Sequence, residues 1–102
     1  MDKLKILLKY SNPEEAQATA FKKYGKDALL YVSSRKSRKY MIRDKLNNKW
    51  VHFGQMGFSD FTKHKNEQRR QLFLKRTAHI KGDWRDNKYS PNNLSRKILW
   101  NG

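Results

Sequence analysis

His52, His64 and His79 are the only histidines in the chain, and Asp60 and Glu67 lie close to His64. Residues of these types at this spacing raise metal-assisted hydrolysis first. In a one-metal nuclease, His64 would serve as base and Asp60 as ligand. The spacing fits no metal-site signature, and HExxH, for one, does not occur. The stretch GQMG at 54–57 is too short for a phosphate-cradling loop and has no GKS/T after it. There is no cysteine, which excludes disulfides, zinc knuckles and thiol catalysis. His52 shares a strand face with Trp50, where a half-buried ring making one hydrogen bond is the simpler reading. His79 falls at a helix C-terminus, where the dipole favours it. No catalytic residue, metal ligand or cofactor is therefore assigned, and the expectation is a protein that is not an enzyme.

The stronger signal is charge. Lys and Arg number 24 against 9 Asp and Glu, a formal net charge of +15 on 102 residues, with a pI near 10.3. Self-repulsion of that size is costly unless a polyanion offsets it. Residues 35–76 carry +10 of the excess. One cluster is Arg35, Lys36, Arg38 and Lys39 in SSRKSRK (33–39), set among small hydroxyl residues that suit a phosphate-contacting loop. A second comprises Lys63, His64, Lys65, Arg69, Arg70, Lys75 and Arg76, at and beyond an expected helix start where free N–H groups would add to the attraction for an anion. Arg69 and Arg76 also fall on the apolar side of that helix, where their stems could simply cover the core. No helix-turn-helix, zinc-finger or aromatic strand motif for base readout is present, so binding is expected to be driven by backbone and shape.

The elements that must position these clusters follow from period and punctuation. Apolar residues make up 36% of the chain and aromatics 13%, enough for one small ring-rich core, and one domain over 1–102 is expected. KLKILLKY (3–10) alternates, with Leu4, Ile6, Leu8 and Tyr10 on one face, and predicts a half-buried strand. Asn12, Pro13, Glu14 and Glu15 open a helix over about 13–24 that Gly25 ends. Strands are predicted at 28–33, 38–44 and 48–54, the last two forming a hairpin through Asn47 and Asn48. Gly54 and Gly57 mark a loop at 55–65. A helix over about 65–79 follows, with Leu72, Phe73 and Ile80 facing the core. Ser90 and Pro91 begin a C-terminal helix to about 100. The expected architecture is α+β: a small, mostly antiparallel sheet of about four strands, with helices packed on one face. No apolar run approaches the roughly 20 residues that span a bilayer, and MDKLKILLKYSNPEE turns polar too soon for a signal peptide.

The wording RKSRKYMIRD…NKWVHFGQMGFSDFTKHKNEQRRQLFLKR, continued by GDWRDNKYSPNNLSRKILW, resembles a family of small basic proteins of unknown function encoded by nucleocytoplasmic large DNA viruses, the giant viruses of algae and protists. The resemblance runs from about Leu30 to Trp100. Two positions depart from the pattern: Asn66 stands where the family usually has Asp, which further weakens a metal site, and Arg38 replaces Lys. The resemblance implies a viral source and a component of the virion, and it brings no assigned functional residues.

The leading expectation is a small viral protein that binds nucleic acid, DNA rather than RNA, without sequence specificity. It would help condense or package the genome in the virion or act in the host cytoplasm or nucleus, without being secreted. The alternative is a minor capsid or core protein docking an acidic protein or the inner membrane. A metal-dependent nuclease ranks third.

Overall fold

The computed structural model describes residues 2–102. The first surprise is residues 3–10, which form a helix, α1 (Lys3–Tyr10), and not a strand. The side chain of Asp2 accepts the Leu4 amide and caps it, and the run holds good helix formers with a single β-branched residue. Leu4, Leu7 and Leu8 satisfy helical spacing as well as Leu4, Ile6 and Leu8 satisfy alternation. Packing decides between them: Leu7 is fully buried, whereas Leu4 and Leu8 are exposed. Leu7→Ala is accordingly expected to lower stability by about 3 kcal/mol, and Leu8→Ala by less than about 1 kcal/mol. Chemical denaturation of the two variants checks this, and the reverse order would restore the strand.

Helix α2 (Pro13–Tyr24) matches its sequence signals. The Asn12 side chain accepts the Glu15 amide, and Gly25 leaves the helix at φ 109°. Ala16, Ala20 and Tyr24 are its buried face. The sheet has three antiparallel strands in the order β1 (Leu30–Val32), β2 (Arg38–Asp44) and β3 (Lys49–Gln55), so the expected fourth strand is α1. Tyr40 pairs with Phe53 and Ile42 with Val51, and these four side chains face the core. The other face presents Tyr31 edge-on to Trp50, with Arg43 over the Trp50 ring. The hairpin closes through Asp44, whose carboxylate accepts the amides of Leu46 and Asn47, while Asn48 adopts φ 52°. Asn tolerates that left-handed geometry better than most residues.

The predicted helix over 65–79 is present over Glu67–Thr77, and the predicted loop at 55–65 contains a short helix of its own. In α3 (Phe61–His64), Asp60 caps the start by accepting the Thr62 amide. Lys65 then turns left-handed at φ 57°, and Asn66 caps α4 (Glu67–Thr77) by accepting the Arg69 amide. The C-terminal helix starts as predicted at Pro91, with Ser90 as cap. After α5 (Pro91–Leu94) it widens into a π-helical turn, Ser95–Leu99. Leu7, Ala16, Ala20 and Tyr24 meet the core face of the sheet and Leu94, Ile98 and Leu99 in one cluster. The fold is α+β, with the helices over one face of the sheet. Among the described residues no helix is long and apolar enough to cross a membrane.

Candidate nucleic-acid interface

The start of β2 supplies Arg38, and α4 supplies Arg69 and Arg76 two turns apart. All three border one cleft of about 730 Å3, between the open end of the β2–β3 ladder, α4 and the C-terminal helical segment. Its apolar lining includes Phe53, Phe73, Leu99 and Trp100, the rings of Phe73 and Trp100 stacking at 4.2 Å. The cleft lies against Gly54, whose φ is 80° and where a Cβ would sit 2.8 Å from Leu99 Cδ1. A side chain there would be strained and would collide with the cleft wall. No Asp or Glu among the described residues borders the cleft. Among the described residues, none of the three guanidinium groups has a carboxylate within ion-pair distance. The Arg76 guanidinium lies over the Phe73 ring. The cleft thus brings together members of two clusters that lie 31 residues apart in sequence.

The remaining predicted contacts divide sharply. Arg35 and Lys36 stand exposed in the turn before β2, shaped by the Ser33 hydroxyl, which accepts the Arg35 amide. Lys63 and Lys75 are exposed and unpaired among the described residues. Lys65 pairs with Glu15. Arg70 is engaged by Glu67 and by the carbonyls of Trp100 and Asn101. Lys39 is the clear correction. It is 2% exposed, and its Nζ lies 3.0 Å from Asp60 Oδ2 and 2.6 Å from the Phe58 carbonyl. The residue borders the cleft, but its ammonium is committed to Asp60 and the Phe58 carbonyl. Asp60 is 1% exposed and also accepts from Thr62, so its carboxylate is occupied and unavailable as a metal ligand. Among the described residues no three His, Cys, Asp or Glu side chains converge as a metal site would require.

His64 is half-buried beside Phe61 and Trp100. Its Nδ1 accepts the Asn66 amide, so in the neutral ring Nε2 carries the hydrogen. Burial, and next the Arg69 charge, hold its pKa below the ordinary histidine value, with Asp60 acting in the opposite sense. His52 bonds Ser33 Oγ at 2.6 Å, the single hydrogen bond its strand position implied. Burial, then Arg35, lower its pKa as well. Both rings therefore bind protons more readily in the unfolded chain. Stability should fall as pH drops through about 6.5. Thermal melts at about pH 7.5 and 5.5 are expected to show the lower midpoint in acid, and equal midpoints would count against it.

Sequence reasoning missed the apolar rim. Leu72 and Ile80 were expected in the core, yet they stand 60% and 48% exposed at the cleft edge, with Phe58 64% exposed beside them. The helical period marked Leu72 and Ile80 as apolar-face residues but could not say whether that face was covered.

Residues 28–77 match a family of unknown function (DUF5754), just under half of the chain. No curated protein and no solved structure matches the chain.

Proposed function

We propose that the protein is a non-enzymatic nucleic-acid-binding protein that grips the phosphate backbone through Arg38, Arg69 and Arg76. The observation carrying this reading is that three arginines from two separate elements border one cleft that no carboxylate borders. Guanidinium groups match phosphate oxygens in geometry and charge, and leaving several unpaired around one cleft is unfavourable unless an anion arrives. Exposed Lys36, Lys63 and Lys75 extend the attraction without fixing a sequence. In the viral setting that the sequence resemblance implies, such binding would condense or package a genome.

An electrophoretic shift with mixed-sequence nucleic acid over a salt series tests the reading. A shift that weakens steeply with salt is expected, and no shift at low salt would remove it. A second reading, a minor capsid or core protein, draws support from the exposed Tyr31 and Trp50 on the uncovered side of the sheet. Recovery with the virion shell after nuclease-treated cores are stripped away would favour it.

A further inference from the structure

We infer that the cleft takes a single strand, with an unpaired base laid against its apolar rim while the arginines hold the flanking phosphates. The inference rests on the nucleic-acid reading above and sharpens it. Phosphate binding alone explains Arg38, Arg69 and Arg76. It does not explain why Phe58, Leu72 and Ile80 stand exposed at the border of the same cleft. Apolar side chains grouped at a concave site mark a surface that something apolar covers.

The two observations together narrow the occupant. It must be anionic, because the cleft bears arginines and no carboxylate. It must also offer a flat apolar surface within a phosphate's reach of those charges. A duplex fails the second condition. Its phosphates lie outside and its bases are stacked within, so a backbone resting on the arginines leaves the rim wet. A single strand meets both, since each unpaired base carries a π-face next to its own phosphate. The volume of about 730 Å3 lies within the range of sites that enclose a small-molecule-sized group. Because every base has such a face, this contact tolerates any sequence, in keeping with the absence of base-reading motifs.

The test compares four probes by fluorescence anisotropy: oligothymidylate, an abasic phosphodiester of equal length, a duplex of equal length, and polyglutamate. Oligothymidylate is expected to bind about tenfold or more tighter than the abasic chain, one stacked base being worth at least that. It should also outbind the duplex. The double variant Phe58→Ser, Leu72→Ser changes only exposed side chains and is expected to fold. It should bring oligothymidylate down to the abasic level while leaving the salt slope unchanged. Equal binding of the abasic chain or the duplex by the wild-type protein would overturn the inference and leave backbone binding standing. Polyglutamate binding as tightly as oligothymidylate would overturn it in favour of an acidic protein partner. Absence of binding to all the nucleic-acid probes would remove the functional reading itself.

Discussion

Replacing Arg38, Arg69 and Arg76 together by alanine is expected to weaken nucleic-acid binding about a hundredfold at roughly 0.1 M salt. Each phosphate contact on a single strand contributes about 0.7 to the slope of log affinity against log salt, so three contacts remove about two units of slope and about two decades of affinity. The comparison that isolates the cleft is Lys36→Ala, Lys63→Ala, Lys75→Ala. It removes the same formal charge from exposed positions elsewhere on the surface. If the protein acts as a diffuse polycation, the two triple variants lose affinity equally. If the cleft is the grip, the arginine variant loses more, in both affinity and slope. Among the described residues the arginines make no ion pair, so its thermal midpoint should move little.

Lys39→Met is expected to be the most destabilising single charge removal, at about 3–5 kcal/mol. The substitution leaves the Asp60 carboxylate buried without its cation, and the Phe58 carbonyl loses its donor. For a domain of this size the thermal midpoint should drop on the order of 20 °C. Adding Asp60→Asn removes the orphaned charge while keeping a side-chain oxygen to cap α3 at the Thr62 amide. The double variant should therefore recover part of the loss, and that recovery measures the coupling. A midpoint unchanged by Lys39→Met would mean that the pair has no structural role, and Lys39 would return to the candidate phosphate contacts.

Lys39 also shows where sequence reading stops. It sits in a run of cations beside serines, and its strand partners Tyr40 and Ile42 point inward as alternation requires. Nothing local marks it as buried. The cause is Asp60, distant in sequence and brought close by the tertiary fold. The same limit hid α3, a four-residue helix inside the predicted loop at 55–65, because the residue that ends it left-handed is a lysine and not a glycine. By contrast, α2 and the β2–β3 hairpin were legible because their signals are self-contained: a cap, a proline and a glycine in one case, alternation and an asparagine turn in the other. The two clusters of the cleft were legible as charge. Their meeting was not, since it depends on how α4 packs relative to the start of β2.

The core cluster has a consequence for what can be cut away. Of its twelve residues among those described, only Ala28, Tyr40, Ile42, Val51 and Phe53 lie within the family-matched stretch 28–77. The other seven come from α1 and α2 before it and from the C-terminal helical segment after it. An excised 28–77 fragment would carry Arg38, Arg69 and Arg76 on a bare hairpin and a loose helix. Its inner sheet face would be open to water, and it would have lost the Leu99 and Trp100 walls that give the cleft its shape. The stretch that similarity picks out is therefore a signature embedded in a folding unit, not a separable module.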